Sequence, residues 1–254
     1  MYFNNLHILI YVLIGFIGVV VGKFIAWCSI RLPENKKIIS KEFFKVNKEG
    51  IKNSYIYIAL IAIIYIFTLY RFGIKNDDFF KNLELIKFLL LIPMLVLTFV
   101  IDIKHRIIPN RLNLTIFEVG VIITFLYGIT NLNMVKEYIF GGLLGLAIFG
   151  VITFIGGIFA GREAMGLGDV KFMGAVGLYF GINSVIEISI LSFLLAAICS
   201  IIILIIRFVI LKKKDDYIAF GPFLALSSFA CIYLPTGIVL ETFLNFCKML
   251  SSLL

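Results

Sequence analysis

Long apolar runs, separated by short polar and basic stretches, make up most of the chain. The runs cover residues 6–30, 54–70, 85–101, 112–131, 138–160, 172–182, 184–206 and 219–247. Most approach the roughly 20 residues that a helix needs to cross the hydrocarbon core of a bilayer, and the sixth is shorter. The strict alternation typical of membrane barrel strands is missing. The pattern predicts an all-α polytopic bundle of about eight, within a range of six to eight, transmembrane helices, forming one integral-membrane domain over residues 1–254.

Composition and charge agree with a membrane location. Of the 254 residues, 61% are hydrophobic and 15% are charged, whereas soluble domains are about 45–50% apolar and about 25% charged. Most Lys and Arg residues fall in the first, third, fifth and seventh loops, which predicts that these loops are cytoplasmic and that the N-terminus lies outside. The net charge of +8 is therefore explained without a basic stripe for nucleic acid. We expect a multi-pass protein of the cell membrane, with the lipid bilayer around it and no nucleic-acid partner.

Two aspartates lie at the ends of apolar runs. Asp102 follows the third run in FVIDIKHRIIPNRLN, and Asp169 precedes the sixth run in AMGLGDVKFMG. Taken alone, an aspartate at a helix end is most simply an interfacial cap or a solvated charge. Two apolar runs separate these residues, however, so the chain crosses the membrane and returns. Both carboxylates are therefore expected on the same, cytoplasmic, face.

Two carboxylates at the same depth suggest acid–base chemistry. Like charges a few ångström apart cannot both ionise cheaply, so such a pair shares one proton. An aspartic protease uses this state: one carboxylate takes a proton from water while the protonated one polarises the scissile carbonyl. Gly166 and Gly168 permit positive backbone dihedrals and leave room for another backbone, and Pro109 ends a helix soon after Asp102. Tight helix packing remains an alternative explanation of the glycines.

Other polar and helix-terminal residues are secondary candidates. Glu118, in the cytoplasmic third of its span, is a candidate substrate-binding residue because an acid inside a membrane is costly. Lys171 is another candidate, although the positive-inside rule already accounts for it. Gly221 and Pro222 are candidates as well, although a proline just inside a helix start is ordinary. The four cysteines form no Cys-x-x-Cys pair, and with two histidines they indicate no metal site.

These segments together resemble the bacterial type IV prepilin peptidases, which are membrane aspartic proteases of the Gly-x-Gly-Asp class. MGLGDVKFMGAVG, Met165 to Gly177, is similar to the second-aspartate segment of that family, and DIKHRIIPNRL, Asp102 to Leu112, is similar to the first. GKFIAWCSIRLP, Gly22 to Pro33, and FGPFLAL, Phe220 to Leu226, resemble its first and last elements. The four segments occur in the order of the family and extend along most of the chain.

The resemblance implies an endopeptidase that removes the short basic leader from type IV prepilins and pseudopilins. Cleavage would follow a glycine on the cytoplasmic side, with Asp102 and Asp169 as the catalytic pair and with Gly166, Gly168 and Pro109 shaping the site. Proteolysis would need neither a metal nor another cofactor. The sequence indicates no oligomeric state.

One departure from the family concerns the first cytoplasmic loop. Many members carry a longer loop with two Cys-x-x-Cys pairs, and they methylate the new N-terminus with S-adenosylmethionine. Here the loop, residues 31–53, is short and contains no cysteine, which excludes a cysteine zinc site in it. We expect S-adenosylmethionine as a cofactor only if methyltransferase activity is retained.

Other classes of protein remain as alternatives. A second kind of Gly-x-Gly-Asp protease, such as an archaeal preflagellin peptidase or a presenilin-like enzyme, would lack the Arg-Leu-Pro and Phe-Gly-Pro-Phe elements in this order. A transporter could also combine a broken helix with intramembrane acids, but it should show a repeated half, and the sequence shows none. A scaffold protein would leave both aspartates replaceable.

Overall fold

The described part of the chain is almost entirely helical. The computed structural model describes residues 2–3, 6–38, 48–74, 79–129, 131–160, 165–206 and 219–253. Its helices are α1 Ile8–Arg31, α2 Lys48–Phe72, α3 Phe79–His105, α4 Asn110–Gly128, α5 Leu132–Ala160, α6 Leu167–Ile206, α7 Gly221–Tyr233 and α8 Ile238–Leu253. Two short strands, β1 Tyr2–Phe3 and β2 Leu6–His7, pair antiparallel ahead of α1. Within the described residues, six helices, α1 to α6, are long and apolar enough to cross a membrane. The predicted all-α polytopic membrane fold is confirmed.

Parts of the predicted loops lie outside the described residues. These parts are residues 39–47 of the first loop, 161–164 of the fifth and 207–218 of the seventh. At the edges of the first predicted loop, Arg31 ends α1 and Lys48 begins α2. The chain forms two compact units, an N-terminal unit of residues 1–101 and a C-terminal unit of residues 102–254. The prediction of a single membrane domain stays a prediction.

In the N-terminal unit, α1 and α2 pack backbone to backbone. A methyl group on Gly18 would lie 2.7 Å from the Cα of Ala62, and one on Gly22 would lie 2.6 Å from the Cα of Ile58. Small residues allow this close approach between membrane helices. Gly18 and Gly22 therefore allow α1 to pack closely against α2.

In the C-terminal unit, hydrogen bonds and close contacts hold the first part of α6 against α4 and α5. The Tyr179 hydroxyl donates to the Ile116 carbonyl oxygen of α4 at 2.8 Å. On the other side, a methyl group on Gly145 of α5 would lie 2.5 Å from the Met173 carbonyl oxygen. These contacts fix the start of α6, where Asp169 lies, relative to both helices.

The α6 helix reverses direction at Gly181. Phe149 of α5 stacks on Phe193, with ring centroids 5.7 Å apart, while a methyl group on the adjacent Gly150 would lie 3.9 Å from Val170 Cγ1. In a straight helix Val170 and Phe193 would be about 35 Å apart, so the two parts of α6, residues 167–180 and 182–206, must run in opposite directions beside α5. Gly181 has φ 78° and ψ 180°, a conformation that is essentially limited to glycine. The reversal agrees with the prediction of separate apolar runs at residues 172–182 and 184–206.

We expect Gly181→Ala to destabilise this reversal. A side chain there would adopt a strained backbone conformation, which costs about 1–3 kcal/mol, and its methyl group would lie 3.0 Å from Glu137 Oε1. The measurement is the midpoint of thermal unfolding in detergent, which should fall. Gly150→Ala is the matched control, because its methyl group meets only an ordinary contact at 3.9 Å and alanine favours a helix. Equal midpoints for both variants would contradict the reversal.

The last predicted run, residues 219–247, is two helices rather than one. The axes of α7 and α8 differ by 108°. Pro235 and Gly237 lie in the connection, where proline lacks a backbone N–H and Gly237 has φ +99°, so a continuous helix cannot form. The buried Glu187 of α6 accepts a hydrogen bond from the Gly237 backbone N–H at 2.5 Å. This bond ties the connection to the second part of α6.

Candidate active site

Asp102 lies in the last turn of α3, where the helix ends. Its backbone carbonyl accepts a hydrogen bond from Arg106 at 2.9 Å, and Arg106 then leaves the helix with φ 56°. The residue is only 4% exposed. Its carboxylate accepts a hydrogen bond from the backbone N–H of Gly221, the first residue of α7. A segment more than one hundred residues away in the sequence therefore holds Asp102 in place.

Asp169 lies in the first turn of α6 and is 8% exposed. Its backbone N–H donates to the Gly166 carbonyl oxygen at 3.0 Å, and its carboxylate accepts a hydrogen bond from the Gly166 backbone N–H. The second bond corresponds to the carboxylate half of the capping box at helix N-termini, where a carboxylate also interacts favourably with the helix dipole. Gly166 has no side chain to form the other half. The local sequence therefore fixes the orientation of this carboxylate.

The structure brings the two aspartates together. The carboxylates of Asp102 and Asp169 are near enough to interact electrostatically. The intervening α4 and α5 run away from Asp102 and return to Asp169, as the even number of predicted crossings requires. Two buried acids that interact electrostatically can hold one proton between them. Their catalytic role stays a prediction at this point.

Ile108 completes the site between the two glycine segments. A methyl group on Gly168 would lie 3.4 Å from Ile108 Cβ, and one on Gly221 would lie 3.0 Å from Ile108 Cδ1. The next residue, Pro109, is buried at the start of α4, and its carbonyl oxygen accepts a hydrogen bond from Leu112 at 2.9 Å. Three segments therefore meet at the site: residues 102–109, 166–169 and 220–221.

The glycines of the Gly-Leu-Gly-Asp motif differ from one part of the expectation, the positive φ, and agree with the other at Gly166, the room left by an absent side chain. Neither Gly166 nor Gly168 has a positive φ; among the glycines of the described residues only Gly73, Gly181 and Gly237 do. The predicted use of conformational freedom is therefore wrong at both positions. What Gly166 provides is space, because it is exposed and a methyl group there would lie 3.4 Å from Asp169 Oδ2. The absent side chain leaves one side of this carboxylate open.

The secondary candidates lie at different places. Lys171 is exposed beside the site, and its Nζ donates to Asn110 Oδ1 at 3.1 Å. Pro222 is buried in the first turn of α7, next to Gly221. Glu118 is exposed, and at 100° per residue it lies on the face of α4 away from Asn113, which contacts α6. The structure thus brings Lys171 and Pro222 to the site and leaves Glu118 away from it.

Asn113 is a site residue that the sequence alone did not reveal. It is 4% exposed, and its Nδ2 donates to the Gly168 carbonyl oxygen at 3.0 Å. Its Oδ1 is buried and has no hydrogen-bond partner within the described part of the chain. The available signal was an amide side chain near the start of an apolar run, four residues after Pro109.

The region that contains both aspartates matches a known protein family. The model of the type IV leader peptidase family matches residues 89–206. Residues 89–206 are therefore similar to this family. The matched residues include Asp102, Asn113 and the Gly166–Asp169 turn. The predicted resemblance is confirmed.

Several relatives of this leader peptidase family align with much of the chain. A prepilin leader peptidase/N-methyltransferase of Xanthomonas campestris pv. campestris is 26% identical over 68% of this chain and 56% of its own length. A type 4 prepilin-like proteins leader peptide-processing enzyme of Escherichia coli O78:H11 is 30% identical over 58% of this chain and 51% of its own. A prepilin leader peptidase/N-methyltransferase of Legionella pneumophila is 26% identical over 71% of this chain and 58% of its own. The chain thus spans somewhat more than half the length of these relatives, and no solved structure matches it.

Proposed function

We propose that the protein is an aspartic endopeptidase that removes the leader peptide from type IV prepilins and pseudopilins. The observation that carries this proposal is the pair of buried, interacting carboxylates of Asp102 and Asp169, each held by a backbone N–H from a glycine. The family match and the names of the relatives support leader peptides as the substrate class. Cleavage after a glycine is part of the proposal.

The two carboxylates would act as an acid–base pair. The ionised aspartate takes a proton from a water molecule, whose oxygen attacks the scissile carbonyl carbon, while the protonated aspartate donates to the carbonyl oxygen. When the tetrahedral intermediate collapses, the C–N bond breaks, the leaving amine receives a proton from the protonated aspartate, and the ionised aspartate takes a proton from the hydroxyl whose oxygen becomes the new carbonyl oxygen. The pair then holds one proton again, so the cycle needs no metal, no other cofactor and no covalent intermediate. Either aspartate can start as the base.

Charges around the site support a cytoplasmic location in the cell membrane. Four exposed basic residues lie near the two aspartates in the sequence: Lys104, Arg106, Arg111 and Lys171. Short loops rich in Lys and Arg are retained on the cytoplasmic side. The bilayer would surround the apolar faces of the helices, and the substrate would reach the aspartates from the cytoplasmic side. Lys171, Gly221 and Pro222, at or beside the site, and the more distant Glu118 stay candidate substrate contacts.

The test of this function is cleavage of a prepilin by the purified protein in detergent, with the products identified by mass spectrometry. We expect a single cut after the leader glycine, unaffected by a metal chelator. A prepilin with that glycine replaced should stay uncut, and a preflagellin assayed in parallel distinguishes the related class of peptidase. Absence of cleavage, or loss of cleavage with the chelator, would count against the proposal.

The same assay addresses methylation. With S-adenosylmethionine present, we expect the new N-terminus to keep its unmodified mass, because the loop of residues 31–53 lacks the cysteine pairs of the methylating members. Two of the relatives described above carry N-methyltransferase in their names, and either one provides the positive control. A mass increase of one methyl group with this protein alone would overturn the expectation.

A further inference from the structure

The side chain of Asn113 has one satisfied end and one unsatisfied end. Its Nδ2 donates to the Gly168 carbonyl oxygen at 3.0 Å. A carbonyl oxygen can only accept, so this contact fixes the amide orientation and assigns the other end to Oδ1. That oxygen is buried and has no partner within the described residues. Within the described part of the chain, a buried acceptor is therefore left unpaired beside Gly168, the residue that precedes Asp169.

Such an acceptor needs a physical reason. Buried polar atoms in native proteins are nearly always hydrogen-bonded, because leaving one unpaired costs free energy. Its neighbours on the same face of α4, Leu112 and Ile116, are apolar and buried, and an apolar residue would fill the position without that cost. A hydrogen bond from a bound donor would remove this free-energy cost. The donor must reach the Gly166–Asp169 turn, where Gly166 is exposed and has no side chain that would block the approach.

We propose that Asn113 is a substrate-positioning residue whose Oδ1 accepts a backbone N–H of the peptide bound beside Asp169. This inference rests on the proposed peptidase function and adds a recognition element to the same site. Every non-proline residue of an extended substrate carries a main-chain N–H donor. A hydrogen bond to this group therefore fixes the position of the substrate backbone along the site and does not depend on the substrate's side chains. Through its Nδ2 the same amide fixes the turn that carries Asp169, so the substrate and the carboxylate are positioned by one group.

The test compares amide and ester substrates. Prepilin segments are made with a single backbone amide replaced by an ester, one position at a time around the cleavage site, because an ester has no N–H to donate. With the wild-type protein, we expect one position at which the ester lowers kcat/KM about tenfold, mainly through KM. With Asn113→Leu, kcat/KM for the all-amide substrate should fall by at least this factor, because the Nδ2 bond to Gly168 is lost as well, and the ester at that position should cause no further loss.

The outcomes separate substrate contact from a structural role. If Asn113 only supports the turn, Asn113→Leu lowers kcat/KM for amide and ester substrates by the same factor, and the proposal is wrong. It is also wrong if no ester position affects the wild-type protein. Asn113→Ala replaces Asn113→Leu if the latter does not accumulate, and Asn133→Leu, an exposed asparagine of α5, is the control expected to match wild type. Failure of the peptidase function itself would look different, because the wild-type protein would not cut the all-amide substrate.

Discussion

Replacing either Asp102 or Asp169 by asparagine should lower prepilin cleavage by at least about 10²-fold, the range that one positioned acid–base group contributes. Asparagine has nearly the shape of aspartate and still accepts the hydrogen bonds from Gly221 and Gly166. It cannot take a proton from water or hold the shared proton, so the chemistry is lost while the fold is kept. The measurement is the gel shift of a co-expressed prepilin, with the variant quantified in the membrane fraction.

The design of this experiment has two internal checks. Glu241→Gln removes an exposed acid in the first turn of α8. This variant should process prepilin like wild type, which distinguishes the loss of a catalytic carboxylate from the loss of one negative charge. Because the two carboxylates act as a unit, the double Asn variant should be little worse than either single variant. Normal processing by either Asn variant that is present in the membrane would show that Asp102 and Asp169 are not a catalytic pair.

The sequence predicted the pairing of the two aspartates because it depends on the number of membrane crossings between them. Two apolar runs between Asp102 and Asp169 require the chain to return to the same face, and helices at membrane depth leave few other arrangements. The helix end near Pro109 followed from the chemistry of one residue type. Such features are set by residues close to one another in the sequence or by the number of crossings.

Features that depend on packing between distant segments did not follow from the sequence. Asn113 matters through its contact with Gly168, fifty-five residues away in the chain, and a single asparagine in an apolar run gives little indication of it. The sequence indicates that Glu118 is a costly intramembrane acid, yet Glu118 lies on the face of α4 that points away from α6. The break between α7 and α8 had a visible signal in Pro235 and Gly237, but the apolar run across it favoured one continuous span.

The sequence placed Gly221 at the start of a helix but did not show that its backbone N–H contacts Asp102. We expect Gly221→Ala to fold normally and to lower kcat about 10²-fold, the order of loss that a displacement of about 1 Å causes at an active site. The added methyl group would lie 2.5 Å from Asp102 Oδ2 and 3.0 Å from Ile108 Cδ1. Both contacted atoms are ends of side chains, so they can move aside without disturbing the backbone. The carboxylate then leaves the Gly221 N–H and its place beside Asp169.

Kinetics and stability together test this prediction. The loss should appear in kcat, with KM and the thermal midpoint in detergent close to wild type, because the substrate contacts and the helices are kept. Gly150→Ala is the matched glycine substitution, since its methyl group meets only Val170 at 3.9 Å, and it should leave kcat unchanged. A Gly221→Ala protein with full kcat would show that the carboxylate of Asp102 works equally well when displaced. Loss of the protein from the membrane would instead show that Gly221 is needed for folding, contrary to the flexible contact described here.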